Sequence, residues 1–164
     1  GWNNTFNYKN FDFSFFVVGF HGFDIYNATH QMGYNLIKSQ QMAGVTPMRE
    51  LLNRWTPTNT NTDIPGFVKG GTENKDFFST RFVENGSFIK MKSITLGYTL
   101  PEATCRSLGI NNLRVYASVQ NPFHITKYSG LDPEATMGSP LVQGVDWGAY
   151  PNSRNYLIGL NFSF

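Results

Sequence analysis

The sequence is poor in charge, in cysteine and in long hydrophobic runs. Charged residues make up 15% of its 164 residues, against about 25% in average soluble domains. The formal net charge of +2 gives no basis for electrostatic binding of nucleic acid. Cys105 is the single cysteine, so the chain forms no internal disulfide. The longest uncharged apolar run, about residues 13–20, is far shorter than the roughly 18 to 20 residues that a membrane-spanning helix needs.

Aromatic and amide side chains take the place of the missing charges. Aromatic residues reach 16% of the chain, with 15 Phe, and Asn, Thr, Ser and Gln are frequent. This composition suits a surface that faces lipid on one side and a wet lumen on the other. It also suits an extracellular β-sandwich that binds sugars, so composition alone leaves both classes open.

The stretch from Ser87 to Pro101 carries a regular alternation. A period of two predicts a β-strand with one apolar and one polar face, and Pro101 ends it because proline cannot donate to a ladder. Lys90 and Lys92 share the apolar face at its start, while Tyr98 lies near its end. A strand that crosses a bilayer can place aromatic residues at the interface. With the long connections described next lying outside the cell, we expect the two lysines near anionic lipopolysaccharide of the outer leaflet and Tyr98 near the inner interface.

Similar alternation predicts five strands, near residues 2–8, 11–23, 87–100, 113–120 and 154–164. Their connections alternate short and long, and the long ones span residues 24–85 and 121–152. Outer-membrane barrels alternate in this way because their periplasmic turns are short and their extracellular loops long. The predicted fold class is therefore all-β: an antiparallel transmembrane β-barrel segment with two long extracellular loops, ending in the periplasm.

The first long loop is expected to be partly helical. Residues from Ala28 to Ala43 favour a helix but lack strong caps. Thr46-Pro47 predicts a better helix start, with Thr46 as the N-cap and Pro47 at the first helical position. An irregular polar run and a glycine-rich turn follow, and connections of this length inside a compact domain are usually functional.

Several motifs occur together in a fixed order. They are Tyr8-Lys9-Asn10-Phe11-Asp12, Gly22-Phe23-Asp24-Ile25-Tyr26-Asn27, Arg54-Trp55-Thr56-Pro57, the stretch from Gly86 to Pro101, Leu113-Arg114-Val115-Tyr116, Gln120-Asn121-Pro122-Phe123, residues 126–134, Tyr150-Pro151 and Gly159-Leu160-Asn161-Phe162-Ser163-Phe164. With these motifs the sequence resembles the C-terminal end of the SusC/RagA family of TonB-linked (TonB-dependent) outer-membrane transporters from Bacteroidetes. The resemblance covers nearly the whole chain.

The resemblance implies an active importer of oligosaccharides or peptides in the cell outer membrane. It implies a plugged barrel of about 22 strands, energised by the TonB complex through an N-terminal part and closed by a SusD-like surface lipoprotein. Residues 1–164 would be the C-terminal part of that barrel, in contact with lipid, with lipopolysaccharide and with the plug. The chain shows no signal peptide, TonB box or plug domain. Bacterial single-chain barrels need at least about eight strands, so we expect these residues to be the last segment of a longer polypeptide that does not fold alone.

The sequence predicts no catalytic residue, no metal site and no cofactor. His21, His30 and His124 are scattered and lack metal-binding spacing. Asp132-Pro133-Glu134 offers two carboxylates, and Asp63, Asp146 and Glu134 could meet in space, but glycoside hydrolysis needs a carboxylate pair at a set separation. In the resemblance the Asp-Pro-Glu motif is a turn that shapes a loop. We therefore expect that the protein is not an enzyme.

Four aromatic residues in the long loops are the candidates for substrate binding: Trp55, Tyr128, Trp147 and Tyr150. Aromatic faces stack on sugar rings or peptide side chains, and nearby Asn and Asp side chains supply hydrogen bonds. The structural alternative is that these residues pack the loops against each other or against the lipoprotein.

Two other classes of protein remain as alternatives. A secreted β-sandwich that binds glycans would be a water-soluble monomer with the apolar faces of two sheets buried together. The alternation of short and long connections argues against it. A small barrel built from several copies of the chain would need an intermolecular sheet.

Overall fold

The computed structural model describes residues 1–34, 47–66, 78–134 and 143–164. The chain divides into two compact units. The sheet unit comprises Gly1–Phe23, Gly86–Lys127 and Pro151–Phe164, and the loop unit comprises Asp24–Asn85 and Tyr128–Tyr150. In chain order the elements are β1 (Trp2–Tyr8), β2 (Phe11–Phe20), β3 (Asp24–Asn27), α1 (Ala28–Tyr34), two 3-10 turns (Arg49–Asn53 and Thr80–Phe82), β4 (Val83–Asn85), β5 (Phe88–Thr99), α2 (Glu102–Ser107), β6 (Asn112–Thr126), β7 (Val145–Asp146) and β8 (Asn155–Ser163).

The sheet unit is one antiparallel sheet in the order β1-β2-β5-β6-β8. Partnered residues of an antiparallel ladder project to the same side, so the register defines two faces. The apolar face carries Trp2, Phe6 and Tyr8 of β1, Phe11, Phe13, Phe15 and Val17 of β2, Ile89, Met91, Ile94, Leu96 and Tyr98 of β5, Val115, Ala117, Val119, Phe123 and Ile125 of β6, and Tyr156, Ile158, Leu160 and Phe162 of β8. Most of the opposite side carries polar residues and glycine, and we call it the polar face.

A bulge in β5 corrects the expected positions of Lys90 and Lys92. Val17 of β2 pairs with Met91 and Phe16 pairs with Ser93, so Lys92 is one extra residue in β5. A single extra residue exchanges the faces of everything beyond it. Lys90 therefore lies on the polar face and is buried, with 2% of its surface exposed. The expectation that Lys90 meets lipopolysaccharide from the apolar face is wrong.

Two strands end elsewhere than the sequence indicates. β2 ends at Phe20 rather than residue 23, because Gly22 takes φ +83° and turns the chain. β6 continues to Thr126 instead of ending at residue 120, and its last residues pair with Phe88 to Met91 of β5. Asn121 adopts the left-handed conformation at φ 49° within the strand, which asparagine tolerates better than most residues. Asn121, where the second long connection was expected to begin, is therefore an irregularity inside β6.

The short connections join the strands at one end of the sheet. Lys9 and Asn10 join β1 to β2, and the Asn10 amide donates to the carbonyl of Thr99 at 2.8 Å. The connection from β5 to β6, expected as a compact turn, contains α2. Gly109, at φ +71°, ends this helix in the left-handed conformation that favours glycine.

An ion pair crosses the polar face over β5. Arg114 of β6 donates from Nε and Nη2 to the two carboxylate oxygens of Asp12 on β2, at 2.9 and 2.5 Å. Gly97 of β5 lies beneath this bridge, where a Cβ would collide with both side chains. The bridge therefore requires glycine at the central strand, and it links strands that do not pair with each other.

The loop unit contains a small sheet in the order β4-β3-β7, in which β3 is antiparallel to β4 and parallel to β7. Among the described residues its core combines small and aliphatic side chains with two aromatic ones; Ile25, Ala28, Leu51, Ile64, Phe82, Tyr128 and Ala149 are buried. No helix in the described ranges is long and apolar enough to span a membrane.

The helices of the loop unit differ from expectation. α1 covers Ala28–Tyr34, and the remainder of the helical stretch expected to Ala43 lies outside the described residues. Thr46 is also outside them. The helix expected to start at Pro47 is a 3-10 turn over Arg49–Asn53, whose N-cap is Met48 and has no side-chain hydrogen bond.

Replacing Gly97 by alanine should destabilise the sheet because the new methyl group collides with the Asp12–Arg114 bridge. We expect a loss of about 1–3 kcal/mol, the usual cost of overpacking. Gly19→Ala is the matched control, since the nearest atom to its Cβ would be the Phe88 carbonyl oxygen at an ordinary 3.6 Å. Denaturant unfolding of the full-length polypeptide measures both. Equal midpoints for the two variants would contradict the packing described here.

Candidate functional site

Tyr128 and Asp146 form a buried pair in the loop unit. The Tyr128 hydroxyl donates to Asp146 Oδ2 at 2.6 Å, and the two residues are only 5% exposed. Burial, together with the bond to this carboxylate, raises the pKa of the Tyr128 phenol. The Tyr128 ring also covers the backbone at Gly130, where a Cβ would collide with it. Tyr128 thus ties the beginning of the segment Tyr128–Tyr150 to its end by a charge-assisted hydrogen bond.

The other oxygen of Asp146 fixes a tight turn. Asp146 Oδ1 accepts the backbone N–H groups of Gly148 at 2.8 Å and Ala149 at 3.1 Å. Gly148 has φ +84°, a conformation that favours glycine. Trp147 sits within this turn and is 46% exposed, and Tyr150 follows it at 90% exposed. The turn therefore presents aromatic side chains from a backbone that the carboxylate holds in place.

Trp55 belongs to a different turn of the same unit. Its backbone N–H donates to the Ile64 carbonyl at 2.8 Å, and its ring lies against Gly66, where a Cβ would come within 2.9 Å. The side chain is 47% exposed. Of the four aromatic residues singled out from the sequence, Trp55, Trp147 and Tyr150 thus present exposed surface, whereas Tyr128 is enclosed.

Glu84 is the centre of a second polar cluster that the sequence did not reveal. Its carboxylate accepts from the Ser129 N–H at 2.8 Å, from the Ser129 hydroxyl at 2.7 Å and from the Asn27 amide at 3.0 Å. His30 Nδ1 lies 3.4 Å from the same carboxylate. Burial opposes ionisation of Glu84, but these hydrogen bonds outweigh it and lower the pKa of the carboxyl. Residues far apart in the chain supply the partners, so no local sequence pattern marks the cluster.

The carboxylates considered for catalysis have separate partners. Asp63 pairs with Arg81 at 3.4 Å, while Asp146 binds Tyr128. Asp132 Oδ1 accepts the Glu134 N–H at 3.0 Å, so the Asp-Pro-Glu motif shapes a turn. Within the described residues, no three His, Cys, Asp or Glu side chains are grouped to hold a metal ion.

The sheet unit shows a different chemistry, because its apolar face is left open. Ile158 is 84% exposed and Tyr156 is 71% exposed. The β8 residues that alternate with them project to the polar face. Soluble antiparallel sheets also have one apolar and one polar face but cover the apolar one, whereas an exposed apolar face is typical of a transmembrane β-barrel segment.

Comparison with known proteins gives the family. No family model matches the chain. The chain is 36% identical over 170 residues to TonB-dependent receptor P3 of Formosa agariphila, and 33% identical over 166 residues to TonB-dependent receptor SusC of Bacteroides thetaiotaomicron. Each alignment covers 100% of this chain, but 16% and 15% of the respective relative. The chain therefore spans about one sixth of the length of these relatives.

A solved structure agrees with the sequence relatives. The structure of the RagAB peptide transporter superposes with a TM-score of 0.79 at 30% identity, over 96% of this chain and 16% of that chain. Its closed-closed state, described as a peptide importer, gives a TM-score of 0.78. The chain belongs to the SusC/RagA family of TonB-dependent receptors, and its fold matches a fragment of their barrel.

Replacing Tyr128 by phenylalanine should loosen the turn that carries Trp147. The change removes a hydrogen bond to a charged group, worth about 1.5–3 kcal/mol, while the aromatic ring remains. Hydrogen exchange of the Gly148 and Ala149 amides in the full-length polypeptide should become faster. Tyr150→Phe is the control, because Tyr150 is exposed. Unchanged exchange in Tyr128→Phe would show that its hydroxyl does not hold the turn.

Proposed function

We propose that this chain is the C-terminal part of an active importer in the cell outer membrane. The observation that carries the proposal is the exposed apolar face of the antiparallel sheet. Exposed aromatic and aliphatic side chains occur on all five strands, including Trp2, Phe11, Leu96, Phe123 and Ile158. Water would penalise such a face, whereas hydrocarbon accepts it. A secreted β-sandwich would bury it against a second sheet.

Closure of the barrel would come from further strands of the same polypeptide. In the described part of the chain, β1 and β8 each pair on one side. Unpaired strand edges are too costly in hydrocarbon, so these two edges would pair with the rest of the barrel. In this proposal, residues 1–164 supply the strands listed above and two extracellular segments of the barrel.

The transport function and its partners are taken from the family. The relatives are named as receptors, and RagAB is described as a peptide transporter. By analogy the substrate would be an oligosaccharide or a peptide, with a plug inside the barrel, a SusD-like lipoprotein as lid and TonB as the source of energy. The names of these relatives describe receptors and transporters, and we propose no catalysis and no cofactor for this chain.

Substrate contact is proposed for the exposed loop aromatics. Trp147 lies within the turn held by Asp146 and Tyr150 follows it, while Trp55 occupies a turn of its own. Held aromatic side chains bind sugar rings or peptide side chains with little loss of conformational freedom. Tyr128 is enclosed, so the role supported for it is to position this turn.

An arginine on the apolar face should block assembly more than one on the polar face. Ile158→Arg places a cation near the middle of β8 on the lipid side, at a cost of about 2–4 kcal/mol. Asn155→Arg, three residues earlier and opposite the uncharged Gln120, points to the polar face and should be mild. Quantifying folded barrel in outer-membrane fractions compares the two. Equal amounts would refute the assignment of the faces to lipid and lumen.

Removing one exposed aromatic side chain should weaken substrate binding while leaving assembly intact. An aromatic contact contributes about 0.5–1.5 kcal/mol beyond its buried area, so Trp147→Ala should reduce affinity up to about tenfold. Leu52→Ala, at a side chain 78% exposed in the same unit, is the control. Binding of oligosaccharide and oligopeptide mixtures to the purified receptor, tested separately, distinguishes the two substrate classes. Wild-type affinity for both mixtures would remove Trp147 from the site.

A further inference from the structure

The connection between β6 and β8 does not by itself determine how these two strands pair. A tight hairpin such as the one at Lys9-Asn10 fixes which residues of its strands face each other. β6 and β8 are instead joined by residues 127–154. The alternation of β8 selects the side chains that lie on the apolar face, but a slip of two residues would preserve that alternation. A further contact must therefore select the observed register.

Gly159 is the position at which β8 is covered. Of the nine residues of β8, all of which the structure describes, Gly159 alone is partly covered and the others are exposed. Its partner across the ladder is Tyr116 of β6. The Tyr116 ring lies so close over Gly159 that a Cβ at this position would collide with Cζ, Cε1 and the hydroxyl oxygen. The ring therefore occupies the space that a side chain at position 159 would need.

Arg114 restrains the Tyr116 ring. Its guanidinium carbon lies 5.1 Å from the centroid of that ring, which is a cation–π contact. The same guanidinium is held by Asp12 in the bridge over Gly97. Asp12, Gly97, Tyr116 and Gly159 are successive partners across β2, β5, β6 and β8. This row of contacts connects β8 to a strand three positions away in the sheet.

A slip of two residues would break the row. It would place Leu157 or Asn161 opposite Tyr116 in place of Gly159. Cross-strand partners have Cβ atoms only about 4.5–5.5 Å apart, so the ring would have to leave its place over β8. Gly159 is the single glycine of β8, and no other register offers the ring the same space.

The other ladder with a long connection has the same feature. Residues 21–87 join β2 to β5, and in that ladder Gly97 lies beneath the side chain of its partner Asp12. A glycine covered by a cross-strand side chain thus occurs in each ladder of the sheet unit whose connection is long. The ladder of β1 with β2, by contrast, has its register fixed by the hairpin.

We propose that Tyr116 and Gly159 set the register of β8, the last strand of this chain. Its consequence for the barrel rests on the proposed function. A barrel closes only with a fixed stagger of its strands, and the second edge of β8 would pair with the rest of the barrel. A slip at Gly159 would carry the same error into that pairing.

Disulfide cross-linking of the full-length polypeptide in outer-membrane fractions reports the register. Ser118 is the partner of Leu157, so Ser118→Cys with Leu157→Cys should form a disulfide on oxidation. Gln120→Cys with Leu157→Cys reports a register shifted by two residues. In the observed register this second pair is diagonal, about 7–8 Å apart, which is too far for a disulfide. Mass spectrometry of the linked peptides should show the first pair in large excess.

Moving the glycine should move the register. Gly159→Asn combined with Asn161→Gly keeps the composition of β8 and shifts its glycine by two residues. The pair of substitutions at Gln120 and Leu157 should then give the main cross-link. An unchanged preference for the pair at Ser118 and Leu157 would overturn the proposal.

Removing the ring provides a second measurement, which also decides the matter where the shifted-glycine variant fails to assemble. Tyr116→Ala should allow both cross-links, because the ring no longer selects Gly159. Tyr116→Phe keeps the ring and is the matched control, with the wild-type ratio expected. A wild-type ratio in Tyr116→Ala would contradict the proposal, as would a mixture in Tyr116→Phe. The cross-links form without substrate, so a receptor that imports nothing still reports its register.

Discussion

The backbone ladder across β5 is the constraint on which the sheet unit depends. β5 is the central strand and pairs with both β2 and β6, so its register sets the faces of all its neighbours. Lys92 is an extra residue in this strand, and its insertion returns Lys90 to the polar face and Ile89 to the apolar one. The bulge thus keeps a buried lysine out of the surface assigned to lipid. The Asp12–Arg114 bridge over Gly97 then ties β2 to β6 across the same strand.

Regular alternation made most of the sheet predictable from the sequence. β1 and β8 contain no irregularity, and their limits in the structure lie within one residue of those expected. The errors fall where alternation breaks: at Lys92, where a bulge inverts the faces, and at Asn121, where a left-handed residue lets β6 continue. A bulge has no fixed residue signature in one sequence, since it depends on how the neighbouring strands pair.

The loop unit was less predictable because its contacts join distant parts of the chain. Tyr128 has the chemistry of a binding residue. In the structure its side chain is buried and its hydroxyl donates to Asp146, 18 residues away. Asp146-Trp147-Gly148 does carry a local signal, since an aspartate followed by a glycine two residues on favours a side-chain-capped turn. The cluster of Glu84, His30 and Ser129 carries none, because its members are 45 and 54 residues apart from the central carboxylate.

The two units are stabilised by different means. The loop unit buries its own apolar core together with carboxylates such as Asp146, which have hydrogen-bond partners, as buried polar groups require. The sheet unit leaves its largest side chains exposed and draws its order from the backbone ladder. Such an apolar face is penalised by water and accepted by hydrocarbon.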